Sequence, residues 1–272
     1  MGYFLGVDIG SGFCKAVVLA GERARASALI PSAGNYRQTA ERVVADALGR
    51  ANLSSDRISY TVATGYGASC LPCSNEVLTD ISCQAEGIYH LFPSVRTVID
   101  IGAQFTKVIK LDDAGRVTNF ILNEKCAGGS GRFLQIIARV LHIDLDEIGH
   151  LSLKSQNPVD FTTGCAVFAE SEAVSRIAEG ALKEDILSGI HKAMASKIIN
   201  LVERIGPEKD CALTGGGAKD IGLVRVLERS LGMVLSVPER PQISAAFGAA
   251  LVGMKKSFAQ NEALRPQGGV PG

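Results

Sequence analysis

The stretches Asp8-Ile-Gly-Ser-Gly12 and Asp100-Ile-Gly-Ala-Gln104 carry the pattern that decides the fold. Each stretch ends one short apolar run and opens another, so each predicts a strand, a glycine-rich turn and a second strand. The two copies lie roughly ninety residues apart in matching contexts. We interpret this recurrence as the internal duplication of one structural unit.

The remaining segments predict further strands and helices around these turns. The run 210–213 predicts a strand that leads into a third glycine-rich turn, Thr214-Gly-Gly-Gly217. Apolar periodicity predicts helices over about 39–51, 80–91, 130–141, 166–180, 185–205, 221–231 and 245–256. The stretch after residue 260 is rich in proline and glycine and is expected to be loose.

The composition is that of an ordinary globular protein. The chain has 272 residues, of which 46% are hydrophobic and 21% charged, which excludes disorder as the main state. The formal net charge is zero, so bulk charge gives no indication of nucleic acid or of an anionic membrane. No apolar run reaches the length of a membrane span, and the first residues lack the pattern of a signal peptide. Seven cysteines without an export signal indicate thiols in a reducing cytoplasm.

Two cysteines each precede a predicted helix. Cys126 lies in Glu124-Lys-Cys-Ala-Gly-Gly-Ser-Gly131, and Cys165 ends Thr162-Thr-Gly-Cys165. Two thiolates at helix starts supply half of a four-cysteine iron–sulfur site, and a second copy of the chain would supply the rest. The alternative is a pair of buried, inert thiols.

The Asp-Gly turns suit a nucleotide phosphate. Glycine lets the backbone approach the anion, and a carboxylate positions a hydrated magnesium ion. Ser11 is placed to donate a hydrogen bond to phosphate, and Lys15 to neutralise charge. An ordinary hairpin turn is the alternative for either stretch alone.

Other polar residues have plainer interpretations. Cys70-Leu-Pro-Cys73 has zinc-like spacing with Cys83 nearby, but it lacks a second cysteine or histidine pair, which favours incidental thiols. Cys14 and Cys211 lie in strands and are expected in the core, and the histidines show no ligand spacing. Glu170 and Glu172 lie in the predicted helix after Cys165, where helix stabilisation is the favoured role.

The motifs together resemble a known family. The Asp-Gly turns, Thr214-Gly-Gly-Gly217 and the helix around Phe247-Gly-Ala-Ala250 are similar to the nucleotide motifs of the acetate kinase, sugar kinase, Hsp70 and actin superfamily. Lys125-Cys-Ala-Gly-Gly-Ser-Gly-Arg-Phe-Leu134 and Thr163-Gly-Cys-Ala-Val-Phe-Ala-Glu-Ser-Glu172 resemble the cluster motifs of the BadF/BadG/BcrA/BcrD ATPases, as does Ala63-Thr-Gly-Tyr-Gly67. These proteins are activators of 2-hydroxyacyl-CoA dehydratases and ATPase subunits of benzoyl-CoA reductases. The resemblance covers about residues 3–256.

The resemblance implies an α/β fold of two ribonuclease H-like subdomains with ATP in the cleft between them. We expect the first subdomain at 1–95 and the second at 96–256, with the last helix packing back on the first and a flexible tail at 257–272. Two protomers, identical or paralogous, would share one [4Fe-4S] cluster. ATP hydrolysis with Mg2+ would then drive an electron from ferredoxin to the catalytic subunits of a reductase or dehydratase.

The resemblance also assigns roles to individual residues. Asp8 and Asp100 would position magnesium-bound water, and Gln104 would orient the attacking water. The expected nucleotide contacts are Gly10, Ser11, Gly12, Lys15, Gly102, Ala103, Gly128, Gly129, Gly215, Gly216 and Gly217. The cluster ligands would be Cys126 and Cys165. The run Gly128–Gly131 would link the nucleotide to Cys126, with a plain helix start as the alternative.

One departure from the family pattern bears on the type of ATPase. Dehydratase activators commonly show Asp-Ile-Gly-Gly-Gln-Asp at the second phosphate motif, whereas this chain has Ala103 and Phe105 in that run. The run is similar to that of some benzoyl-CoA reductase subunits, which favours a benzoyl-CoA reductase partner over a dehydratase. A sugar kinase is the alternative from another class, although it has no use for paired helix-start cysteines.

Overall fold

The computed structural model describes residues 2–32, 34–123, 127–162 and 165–263. The strands in these ranges are β1 Tyr3–Ile9, β2 Phe13–Ala20, β3 Arg23–Pro31, β4 Ile58–Thr64, β5 Glu76–Val77, β6 Thr97–Ile101, β7 Thr106–Leu111, β8 Val117–Asn123, β9 Cys211–Thr214 and β10 Leu235–Ser236. The α-helices are α1 Tyr36–Ala51, α2 Asp80–Leu91, α3 Gly131–Leu141, α4 Ile148–Ser152, α5 Ala166–Ala178, α6 Lys183–Ile205, α7 Ile221–Leu231 and α8 Ser244–Ala263. No helix in the described ranges is both long and apolar enough to cross a bilayer.

The chain divides into two compact units, and each contains one five-stranded sheet. One unit comprises 2–87 and 245–263, and the other comprises 88–244. The first sheet has the order β3-β2-β1-β4-β5, and the second has the order β8-β7-β6-β9-β10. In both sheets the first three strands along the chain are antiparallel and the other two join in parallel. The internal duplication and the α/β class predicted from the sequence are therefore confirmed.

The central strands explain why the apolar runs before each Asp-Gly turn are continuous. Strand β6 is buried along its whole length, and β1 is buried from Phe4 to Ile9. Each of these strands lies inside its sheet between one antiparallel and one parallel neighbour. Both of its faces are covered, so its side chains do not alternate between apolar and polar. Parallel pairing also places Asp8 opposite Thr64 and Asp100 opposite Thr214, which fixes the end of each sheet where the site residues lie.

Helix α8 packs closely against β1 and α2 in the first unit. A Cβ atom at Gly6 would lie 1.9 Å from the Ala246 carbonyl oxygen, and one at Gly248 would lie 1.8 Å from the Cys83 carbonyl oxygen. The helix continues to Ala263 rather than ending near residue 256 as the periodicity predicts. The extra turns are held by tertiary contacts, including an edge-to-face contact of Phe258 with Phe4 at 5.6 Å.

Helix α6 runs through the core of the second unit. Its His191 is fully buried and lies 2.9 Å from an Asp220 carboxylate oxygen. The same Asp220 accepts a hydrogen bond from the Leu223 N–H and so caps the start of α7. This buried contact joins α6 to α7, and it gives His191 a structural role rather than that of a metal ligand.

The tight contact of α8 with α2 makes a specific prediction for stability. Gly248→Ala is expected to destabilise the protein by about 1–3 kcal/mol, because the added methyl group overlaps backbone atoms of α2. Gly49→Ala in α1 is the control, since a Cβ there meets open space. Alanine favours helix at that position by about 0.5–1 kcal/mol. Urea denaturation of both variants measures the difference, and equal effects would contradict this account of the packing.

Candidate functional site

The first Asp-Gly turn lies at the end of β1. Asp8 is buried except for 8% of its surface, and its Oδ2 lies 2.8 Å from the Lys15 Nζ. The Gly10 N–H donates to the Phe13 carbonyl and closes the hairpin at 3.1 Å. Ser11 and Gly12 lie at the partly exposed tip. The turn therefore presents backbone and a serine hydroxyl to a ligand while the carboxylate is held beneath them.

The second turn reproduces this geometry at the end of β6. Asp100 is also 8% exposed, and its Oδ2 lies 3.3 Å from the Lys107 Nζ. The Gly102 N–H donates to the Phe105 carbonyl at 2.9 Å. Gln104 is exposed at the tip, beside the partly exposed Ala103. Phe105 thus closes the second turn as Phe13 closes the first.

Lys107 is a site residue that sequence reasoning missed. It follows Asp100 by the same interval that separates Lys15 from Asp8. An ammonium group beside a buried carboxylate offsets the unfavourable transfer of that charge from water. The equal spacing was the signal, and it becomes recognisable once the two turns are superposed residue by residue.

A glycine turn packs against each of the two carboxylates. Gly65 and Gly215 both have positive φ angles, +89° and +82°. A Cβ atom at Gly65 would lie 2.4 Å from the Asp8 Oδ1, and one at Gly215 would lie 2.4 Å from the Asp100 Oδ1. The run Ala63-Thr-Gly-Tyr-Gly67 is therefore the first unit's counterpart of Thr214-Gly-Gly-Gly217. Only glycine permits both the backbone conformation and the close approach.

The second turn is bonded to the segment that follows Cys126. The Gly131 N–H donates to the Gly102 carbonyl at 2.9 Å, and the Arg132 N–H donates to the Ala103 carbonyl at 2.8 Å. The buried Thr106 hydroxyl donates to the Gly129 carbonyl. The start of α3 is thus attached to the turn predicted to bind phosphate.

Gly128 and Gly129 form a buried 3-10 turn immediately before this attachment. Ser130 is fully buried and occupies the N-cap position of α3, with its hydroxyl donating to the Ala127 carbonyl at 3.0 Å. The glycine run is therefore packed between the second Asp-Gly turn and α6, where Gly129 approaches Lys197 and Ile198. The run thus contacts the second turn and α6 as well as beginning a helix.

Of the two predicted cluster cysteines, Cys165 alone lies within the described residues. Cys126 lies outside the described residues. Cys165 is half-buried at the N-cap of α5, where its carbonyl accepts the Ala169 N–H at 2.9 Å. The positive end of a helix dipole stabilises a thiolate, so this position suits a sulfur ligand of an anionic cluster.

Three of the remaining cysteines are buried. Burial raises the pKa of the Cys83 thiol to about 11, and burial also raises the pKa of Cys14 and Cys211. Cys70 is half-buried and Cys73 is exposed. Across the described part of the chain, no group of three or more His, Cys, Asp or Glu residues is placed to hold a metal ion. A cluster bound by two cysteines from each of two chains has only two ligands in one chain, so it would not form a group of three.

Comparisons with known proteins follow the same motifs. The profile of the BadF/BadG/BcrA/BcrD ATPase family matches residues 5–253. The chain is 41% identical over 250 residues to the 2-hydroxyisocaproyl-CoA dehydratase activator of Clostridioides difficile, covering 92% of this chain and 94% of that protein. It is 34% identical over 260 residues to a benzoyl-CoA reductase subunit of Thauera aromatica, covering 91% and 92% of the two chains.

A solved structure extends the likeness to three dimensions. The activator of the 2-hydroxyisocaproyl-CoA dehydratase from Clostridium difficile with bound ADPNP matches with a TM-score of 0.94 and 38% identity. The match covers 98% of this chain and 100% of that chain. The family profile, the curated relatives and the fold agree with the resemblance read from the motifs, and the chain belongs to the BadF/BadG/BcrA/BcrD ATPase family.

Proposed function

We propose that this protein is an ATP-hydrolysing activator of the 2-hydroxyacyl-CoA dehydratase type, which passes an electron through a [4Fe-4S] cluster shared by two copies. The observation that carries the proposal is the backbone attachment of α3 to the second Asp-Gly turn, through Gly102 and Ala103. It connects a phosphate-binding motif to the segment that follows Cys126. Such a connection is what an ATPase needs if nucleotide is to act on a cluster ligand.

The proposed nucleotide contacts lie in the Asp-Gly turns and in the glycine runs. Asp8 and Asp100 position water on Mg2+, because carboxylate oxygens are the ligands that this ion prefers. Gln104, exposed at its turn, orients the attacking water. The residues proposed to contact ATP are Gly10, Ser11, Gly12, Lys15, Gly102, Ala103, Gly128, Gly129, Gly215, Gly216 and Gly217.

Cys165 is the proposed cluster ligand that lies within the described residues. Its sulfur is a soft donor on a half-buried helix start, and thiolates are the usual ligands of iron–sulfur clusters. Cys126 would be the second ligand of each protomer. When bound, the cluster would accept and donate one electron at a time. The protein's own part is to hold the two thiolates and to control how much solvent reaches them.

The choice between a dehydratase and a reductase partner follows the relatives. The dehydratase activator shares 41% of its residues with this chain, against 34% for the benzoyl-CoA reductase protein of Thauera aromatica. The run with Ala103 and Phe105 favoured the reductase on sequence, whereas the overall identity favours the dehydratase. We assign a dehydratase as the electron acceptor and a ferredoxin as the donor.

The nucleotide assignment predicts that the two carboxylates are essential for hydrolysis. Asp8→Asn and Asp100→Asn are each expected to slow ATP hydrolysis by at least about 100-fold, the usual loss on removing a key charge-stabilising group. Iron content should stay at the unmodified level, and Glu41→Gln on the exposed face of α1 is the control. Phosphate release and iron analysis on anaerobic protein measure both. Normal hydrolysis in either Asp variant would refute the assignment.

The cluster assignment predicts a difference between two pairs of cysteines. Cys126→Ser and Cys165→Ser are expected to lose iron and weaken the dimer, because each removes a thiolate ligand. Cys70→Ser and Cys73→Ser should retain both. Iron analysis, visible absorbance and sedimentation of anaerobic protein test this, and equal iron loss in all four variants would disprove the choice of ligands.

The attachment of α3 predicts that nucleotide changes access to the cluster. Mg-ATP is expected to speed removal of iron by a chelator, and Thr106→Val should reduce that response while ATP still binds. The substitution removes the hydroxyl that bonds the Gly129 carbonyl but keeps the side-chain shape. Thr118→Val, on the exposed strand β8, is the control. If the rate of iron chelation in the unmodified protein is the same with and without Mg-ATP, this coupling is ruled out.

A further inference from the structure

Glu172 makes a contact that its place on a helix does not require. It lies two turns into α5, and its carboxylate reaches back to the residue that precedes Cys165 by three positions. Its Oε1 accepts the Thr162 N–H at 3.1 Å, and its Oε2 accepts the Thr162 hydroxyl at 3.1 Å. Both carboxylate oxygens are therefore bound to one residue of the loop before the helix.

An arginine supports this carboxylate from the next turn of α5. The Arg176 Nη2 lies 3.5 Å from the Glu172 Oε1, and its Nη1 lies 3.0 Å from the Glu179 Oε2. These two carboxylates, Glu179 first, raise the pKa of the Arg176 guanidinium. The Glu172 side chain is 14% exposed, against 60% for Glu179, so Glu172 lies well covered while Glu179 faces solvent. We call the pair of Thr162 and Glu172, which Arg176 borders, the Glu172 clamp.

Contacts with α5 are made both at Cys165 and at Thr162, three positions before it. On the helix side, the Cys165 carbonyl accepts the Ala169 N–H at 2.9 Å. On the loop side, Thr162 is fixed to the same helix through Glu172. The cysteine is thus held to α5 from both directions, and its loop is attached to the helix that it precedes.

We propose that Glu172 is a positioning residue for Cys165, fixing the loop that carries the thiolate to α5 so that loop and helix move as one body. The inference rests on the proposed function, in which Cys165 is a cluster ligand. A thiolate that turned independently of its helix would lose its place at the positive end of the helix dipole. It would also absorb any helix movement that nucleotide produced, so the movement would not reach the cluster.

The test compares variants that remove different parts of the clamp. Glu172→Ala removes both contacts to Thr162. Glu172→Gln keeps an oxygen for the Thr162 N–H and supplies an amide N–H for the hydroxyl, but loses the charge that faces Arg176. Thr162→Val removes the hydroxyl contact alone. Glu170→Ala is the matched control, since Glu170 is an exposed glutamate of the same helix.

Two readouts are needed, one of which is independent of the cluster. In iron-depleted full-length protein, the alkylation rate of Cys165 is followed by mass spectrometry of its peptide. We expect Glu172→Ala to raise this rate about two- to tenfold, the range for losing one or two exposed hydrogen bonds. Glu172→Gln should stay near the unmodified rate and Thr162→Val should fall between. In cluster-loaded protein, the rates of iron removal by a chelator should follow the same order.

The outcomes separate this inference from the proposed function. Alkylation and chelation rates in Glu172→Ala equal to those in Glu170→Ala would overturn the clamp. A Glu172→Gln variant as fast as Glu172→Ala would also overturn it, by assigning the effect to the charge that faces Arg176. If unmodified anaerobic protein bound no iron, the proposed function would fail, and the alkylation rates would still decide whether Glu172 holds the loop.

Discussion

The structure depends on a buried carboxylate at the end of a central strand, held between a lysine and a glycine turn. Asp8 and Asp100 each have a lysine seven positions on and a glycine whose Cα lies against the other side of the carboxylate. The ion pair offsets much of the unfavourable burial of charge, and the glycine allows the turn to close over it. Because strand order and register repeat in both units, this arrangement is a property of the duplicated fold.

The two copies diverge where each Asp-Gly turn meets the chain after its third strand. In the first unit, Ser32 follows β3 and bonds the carbonyls of Gly10 and Gly12, at 2.6 and 3.0 Å. In the second unit, the segment after β8 contains Cys126 and leads to Gly131, whose N–H bonds the Gly102 carbonyl. Gly131 thus bonds the carbonyl of Gly102 as Ser32 bonds the equivalent carbonyl of Gly10 in the first unit. Under the proposed function, this difference would connect the second turn to the segment that contains a cluster ligand.

The sequence predicted the parts of this arrangement that depend on local pattern. The Asp-Gly turns, the duplication and the helix start at Cys165 follow from glycine positions and apolar runs. Residues 8–15 and 100–107 share five of eight letters, including the lysine. Lys107 and the role of Gly65 were missed because a shared spacing does not by itself show which residues contact the carboxylate. The contact of Glu172 with Thr162 was not predictable from helix position, which accounts equally well for a carboxylate facing solvent. The length of α8 was underestimated because contacts such as Phe258 with Phe4 are tertiary, and periodicity does not record them.

The geometry of the α3 attachment bears on how a small movement is transmitted. The two N–H groups of Gly131 and Arg132 bond the turn carbonyls at 2.9 and 2.8 Å, within the narrow range of about 2.7–3.2 Å over which such bonds hold their strength. A displacement of the turn by about 1 Å would either break these bonds or carry α3 with it. If they broke, the hydrogen bond from the buried Thr106 hydroxyl to the Gly129 carbonyl would be the remaining link. These three hydrogen bonds together couple the start of α3 to the turn, and Cys126 lies in the sequence between β8 and that helix.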